Sequence, residues 1–272
     1  MDAAGLEVQL QGLAAEDASL LKARYGPFVR EPGSPDRAHV EVVEAEVSGF
    51  LRPFEVSPGR PEIYRLEQHL AHERLVAYSY DFAGFFDYRE RAGKLAIAAA
   101  KGDPFHRAVE NYLRVVAAHA ALREGGLLLH ASGVVRNGSA HLFFGPSGSG
   151  KTTVTLFSEG DLILGDDLIL IRRGKAGFEA CAVPFRGLYR EPPQTDRAFP
   201  LSALYRLVQD REDFLEDLPV SRALAEMMAS LPFVMEAAGG ARALEVAGAL
   251  AQSVRIQRLH FTKSADFWRL VA

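Results

Sequence analysis

The residues of this chain best suited to chemistry form one run: Gly145-Pro146-Ser147-Gly148-Ser149-Gly150-Lys151-Thr152, with Thr153 directly after. A glycine, four residues, then glycine, lysine and a hydroxyl residue satisfy the Walker A pattern. Glycines let the main chain curl so that its N–H groups point inward around phosphate oxygens, and a helix starting here adds the positive end of its dipole. Lys151 can reach the β and γ phosphates as a point charge, while the hydroxyl of Thr152 can hold Mg²⁺. The run therefore predicts a site for a nucleoside triphosphate, ATP or GTP, carried with Mg²⁺. A glycine-rich turn without a ligand is the plain alternative. Against it stands the context, since 142–144 reads as a strand before the run and 152–157 as a helix after it.

Two acids follow closely. Asp166 lies fifteen residues beyond Lys151 (166 − 151), and Asp167 is its neighbour. Both sit at the end of a short apolar strand, 162–164, whereas ordinary Walker proteins place their acidic strand many tens of residues further on. Near a triphosphate, adjacent carboxylates can divide the work, one holding Mg²⁺ and the other accepting the proton of an attacking hydroxyl. Alone, an Asp-Asp pair is ordinarily a solvated turn.

The elements that must position these groups can be read around them. Residues 104–123 predict a long helix that Asp103 can cap, with Pro104 suited to its first turn and Val109, Tyr112, Leu113, Val116 and Ala120 on one face. Gly125 and Gly126 end it. An apolar strand over 127–135 then meets Asn137-Gly138, a pair favoured in tight hairpins, and 140–144 returns beside it into the glycine loop. Beyond the loop a helix of about two turns, a strand over 162–164, a strand over 168–171, a strand over 204–208, helices over 221–230 and 241–251, and a last strand over 254–261 are expected. Upstream, residues 1–103 read as a smaller α+β domain. It has a helix over 14–25 (Leu13, Leu20, Leu21), a Pro- and Gly-rich loop over 26–36, and strands over 39–47, 63–66 and 75–82. Phe82, Phe85, Phe86 and Tyr88 offer a ligand platform on paper, but strand aromatics are mostly core.

Composition narrows the partners. The 272 residues are 48% hydrophobic and 24% charged with a formal net charge of −4, which argues for packed structure and against a nucleic-acid-binding surface. A single cysteine, Cys181, excludes an internal disulfide and a multi-cysteine zinc site. No apolar run approaches the length of a membrane helix and the first ten residues do not read as a secretory signal, so a soluble, cytoplasmic protein is expected.

Three segments together resemble HPr kinase/phosphorylase: Leu129-His130-Ala131-Ser132-Gly133, then 145–153, then Leu164-Gly165-Asp166-Asp167, in the same order and at similar spacing. Val183-Pro184-Phe185-Arg186-Gly187 resembles a counterpart of that family's second signature. The ending with Phe267-Trp268 resembles those of HPr-kinase-related proteins found beside peptide-modification genes. The resemblance implies an α/β fold shared with phosphoenolpyruvate carboxykinase, a P-loop core of mixed sheet and helices over 104–272. It makes Asp166 the base and Asp167 a Mg²⁺ ligand, or the reverse. It puts His130 beside the transferred phosphoryl, although a histidine in an apolar strand is more often a core residue. Arg186 becomes a candidate phosphate clamp. Self-association is implied as well. Departures are visible: Pro184 replaces the glutamate of the family's Glu-x-Arg-Gly, and 188–191 differs from the family run, so phosphorolysis is not expected.

The reading reached is a Mg²⁺-dependent kinase acting on a serine-type hydroxyl of a peptide, protein or small molecule, with no nucleic-acid or membrane partner. A nucleotide-binding regulatory or scaffold protein without transfer is the alternative. A decarboxylating carboxykinase would need further metal ligands that this chain does not display.

Overall fold

A computed structural model describes the chain except residues 31–36, 47–49, 52–54, 58–59, 62–64, 99–101, 159, 186, 188–192, 194, 234–236 and 272. It is a mixed α/β structure dividing into two compact units, Met1–Ala120 and Ala121–Ala272.

The first unit contains β1 (Asp2–Ala3), β2 (Leu6–Gln11), α1 (Ala15–Tyr25), β3 (Ala38–Ala45), β4 (Glu55–Ser57), β5 (Arg60–Pro61), β6 (Glu67–Ala71), β7 (Arg74–Tyr78), β8 (Phe82–Asp87), β9 (Ala92–Ala98) and most of α2 (Asp103–Arg123). Seven strands form one sheet in the order β1-β2-β3-β9-β8-β7-β6. Helix α1 is the crossover between the parallel pair β2 and β3, burying Leu21 and Tyr25 while Leu20 is exposed. Alternation in β3 buries Val40 and Val42 and leaves the intervening glutamate in water. The stretch 75–82, expected as one strand, is two: the chain turns through 79–81, and β8 pairs back on β7. Of the strand expected over 63–66, residues 63 and 64 lie outside the described set and 65–66 are not strand. Phe82 and Phe86 are wholly buried and Tyr88 nearly so, its hydroxyl donating to Val116 O at 2.9 Å, so these three are core, while Phe85 is half-buried with Arg74 over its ring at 5.0 Å. The side chain of Asp103, expected to cap α2, is outside the described set.

The second unit holds β10 (Leu127–Arg136), β11 (Ser139–Phe144), α3 (Lys151–Leu156), β12 (Leu162–Gly165), β13 (Leu168–Arg173), β14 (Phe178–Cys181), β15 (Ala198–Gln209), β16 (Phe214–Asp217), α4 (Val220–Met228), α5 (Ala237–Ser253), β17 (Arg255–Phe261) and α6 (Trp268–Val271). Strands β10 and β11 make the expected hairpin through Asn137 and Gly138, whose φ angles of 52° and 79° are those of a type I′ turn. Five strands close on themselves in the order β11-β10-β13-β14-β15, because β15 also pairs, in parallel, with β11. Strand β17 adds to β15 in parallel and β16 follows it antiparallel. One face of this sheet packs a cluster that includes Val134, Phe143, Val154, Tyr205, Leu207, Phe261, Phe267 and Trp268. Trp268 fixes it from the end of the chain: its ring meets Phe143 edge-on at 5.7 Å, Arg136 lies over it at 3.9 Å, and its Nε1 donates to Ser158 Oγ at 3.2 Å. Among the described residues no helix is long and apolar enough to cross a membrane.

Candidate functional site

The site forms where β11 ends. Its last residue, Phe144, pairs with Ala131 on one side and Arg206 on the other. The chain then bends, Ser149 N–H donating to Pro146 O at 3.1 Å, and enters α3 at Lys151. Gly150 makes that entry possible. Its φ is 107°, and a Cβ there would come within 2.5 Å of Phe261 Cζ. With six residues, α3 is too short to carry a large dipole, so an anion here would be held mainly by the bent main chain and Lys151.

Lys151 is buried and folds back on the bend, donating to Gly145 O at 2.9 Å and Pro146 O at 3.2 Å. Burial holds its ammonium below the ordinary lysine value and Arg206 pushes the same way, while Asp167 and Asp166 pull it back up. An ammonium resting on carbonyl oxygens exchanges them readily for phosphate oxygens, because both are acceptors and only the phosphate carries charge.

The acids arrive from the strand beside β10. His130 pairs with Leu168 of β13, and Gly133 with Gly165 of β12 next to a register shift at Gly133/Val134, so Asp166 and Asp167 form a bend between the two strands. Ala131 N–H donates to Asp167 O at 3.0 Å in that gap. The two carboxylates face different partners. Asp166, buried, has Oδ2 3.5 Å from Thr152 Oγ1, and Asp167 has Oδ1 3.2 Å from His130 Nε2. Gly187 closes over them; a Cβ there would stand 2.6 Å from Asp166 Oδ1, so only glycine fits.

A cavity of about 390 Å³ results, lined by His130, Ser147, Gly148, Gly150, Lys151, Thr152, Thr153, Asp166, Asp167, Gly187, Gln209 and Lys263. Its size is within the range of small-molecule sites. Of the residues picked from the sequence, His130, Lys151, Thr152, Thr153, Asp166 and Asp167 come together here with Ser147, Gly148 and Gly150. Gly145, Pro146 and Ser149 shape the bend without lining the cavity, and Arg186 lies outside the described residues. Gln209 and Lys263 were not expected. Each follows an apolar strand, but only the pairing of β11, β15 and β17 brings their ends to the same edge. Among the described residues no group of three or more His, Cys, Asp or Glu side chains could hold a metal ion by itself.

A family model described as SynChlorMet cassette protein ScmC matches residues 106–269, well over half of the 272 residues, and the chain belongs to that family. No curated protein matches it. The resemblance to HPr kinase/phosphorylase is thereby corrected: the matching family is ScmC and not an HPr kinase family. The likeness rested on short runs, 129–133, 145–153, 164–167 and 183–187, and on Phe267-Trp268. At Pro184 and over 188–191, where chemistry demands less, the sequence already departed from the HPr pattern.

Proposed function

We propose that the chain binds Mg-ATP or Mg-GTP around 145–153 and transfers the γ-phosphoryl to a serine-type hydroxyl of a peptide, protein or small molecule. On this reading the second unit is a phosphate-loop core and the protein works where nucleoside triphosphates are plentiful, as in the cytoplasm. One observation carries the proposal: Lys151, Thr152, both acids and His130 line a single cavity of about 390 Å³.

The curled main chain and Lys151 bind and orient the polyphosphate. Thr152 and Asp166 are the pair suited to Mg²⁺. Their 3.5 Å oxygen separation is near the roughly 3 Å between neighbouring ligands of an octahedral ion, and Mg²⁺ ordinarily takes one or two carboxylates with the rest from substrate and water. The ion would supply charge neutralisation on the β and γ oxygens. Asp167 and His130, 3.2 Å apart, are the pair suited to the acceptor proton. The hydroxyl oxygen forms its bond to the γ phosphorus as the bond to the bridging oxygen breaks. The electron pair leaves on the nucleoside diphosphate, and the proton passes to the Asp167–His130 pair.

The test is incubation of the purified protein with γ-labelled Mg-ATP and Mg-GTP and a panel of hydroxyl-bearing peptides and small molecules, followed by mass spectrometry. Transfer that Asp167→Asn abolishes at saturating Mg²⁺, with Asp166→Asn instead raising the Mg²⁺ requirement, supports the proposal. Tight nucleotide binding with no transfer to any acceptor would replace it by a nucleotide-dependent regulator.

A further inference from the structure

Three parallel strands end at one edge of the second unit. Phe144 of β11 lies beside Arg206 of β15, and Gln209 of β15 beside Phe261 of β17, so the glycine bend, Gln209 and the residues after Phe261 emerge together. Side chains lock them to one another. Gln209 Nε2 donates to Gly148 O at 2.8 Å, and the Phe261 ring fills the space where a Gly150 side chain would be.

Lys263 follows Phe261 by two residues, and its main chain is held on both sides. Thr262 N–H donates to Asp213 Oδ1, and Ser264 Oγ accepts from Asp266 N–H at 3.2 Å, capping the helical turn Ala265–Phe267. The Lys263 side chain is exposed and lines the cavity, and among the described residues it has no ion pair. A cation on a fixed main chain, with no ion pair among the described residues and entering from strands other than those that carry Asp166 and Asp167, suits an anionic ligand.

The cavity also has a direction. The acids and His130 enter from β10 and its neighbours, on one side of β11, whereas Gln209 and Lys263 enter from β15 and β17, on the other. The present inference rests on the nucleotide reading proposed above. If the γ phosphorus lies by the acids, the rest of the ligand must run towards β15 and β17. We infer that Lys263 grips the α-phosphate, at the nucleoside end of the ligand, while Lys151 serves the β and γ phosphates.

The experiment is calorimetric titration of wild type, Lys263→Ala, Lys263→Arg and Lys151→Ala with Mg-ADP and Mg-ATP, with thermal melting as the control for folding. Lys263→Ala should weaken both nucleotides by the same factor, about tenfold, as loss of one charge-assisted contact does, and Lys263→Arg should recover most of it. Unchanged affinity in Lys263→Ala overturns the inference, and so does a loss confined to ATP, which would put the lysine at the γ end. Nucleotide binding by wild type that is lost in Lys151→Ala but kept in Lys263→Ala sinks this inference alone. Absence of binding by wild type sinks the nucleotide reading with it.

Discussion

Replacement of Gly150 by alanine tests the joint between the bend and β17 most sharply. Two costs add. At a φ of 107° an L-residue sits in a sparsely populated region, a strain of about 1–2 kcal/mol. Its Cβ would also stand 2.5 Å from Phe261 Cζ, and Phe261 is 1% exposed at the centre of the core cluster, so the ring has little room to retreat. Overpacking of that kind costs about 1–3 kcal/mol. The sum, about 2–5 kcal/mol, lowers the melting temperature by about 4–20 °C for a unit of this size. Gly148→Ala is the matched control. Its φ is 79°, but no atom lies within 4 Å of the added Cβ, so only the strain applies, about 2–8 °C. Differential scanning fluorimetry of both variants, of Phe261→Leu and of the Gly150→Ala/Phe261→Leu double variant gives the coupling directly. The smaller ring position should make Gly150→Ala cheaper in the double variant than alone. Additive losses, or equal losses for the two glycines, would refute a close contact between Gly150 and Phe261.

Nucleotide affinity should fall as pH rises through the Lys151 pKa, at a pH below the ordinary 10.5, because the ammonium is charged below that point and neutral above it. A bound polyanion restores the charge, so binding takes up protons in the same window; affinity constant up to pH 10.5 would contradict the burial argument. His130→Ala should cut turnover about 100-fold or more while changing nucleotide affinity by less than about threefold, and wild-type turnover would make it a plain strand residue. Trp268→Ala removes the ring under Phe143 and Arg136 and should cost about 3–5 kcal/mol, read by urea denaturation; a loss below about 1 kcal/mol would show that the chain end does not hold the core.

What the sequence makes legible is what local chemistry dictates. The β10–β11 hairpin follows from Asn137-Gly138, helix α2 from its apolar face, and the glycine bend from residues that few other structures require. Strand β16 escapes such reading because it has four residues and no buried side chain and exists through β17, far along the chain, whereas β14, equally short, is held between its neighbour β13 and β15. The break within 75–82 is hidden for a related reason, since the turn Ser79-Tyr80-Asp81 has neither glycine nor proline and the buried Ser79 N–H finds its acceptor at Phe82 O only in three dimensions. Gln209 and Lys263 belong to the same class. Nothing near either residue in sequence mentions phosphate, and the parallel order β11-β15-β17 that aligns them is a property of the whole sheet.

The Asp166–Asp167 pair shows how much such placement can decide. As letters the two residues are equivalent, and either can be base or metal ligand. Asp166 and Asp167 form a bend between β12 and β13, next to a register shift of β10 against β12 at Gly133/Val134, and the main-chain bond from Ala131 N–H pins Asp167 in place. One carboxylate is thereby turned to Thr152 and the other to His130. The division of labour proposed for them rests on these two contacts and needs no likeness to another family. It also makes the two asparagine variants unequal: Asp166→Asn weakens the oxygen pair with Thr152 and leaves the histidine partnered, whereas Asp167→Asn removes the carboxylate beside His130 and leaves the metal pair whole. If both variants shifted the Mg²⁺ dependence alike, the two acids would be sharing one task, and the separation read from their partners would be wrong.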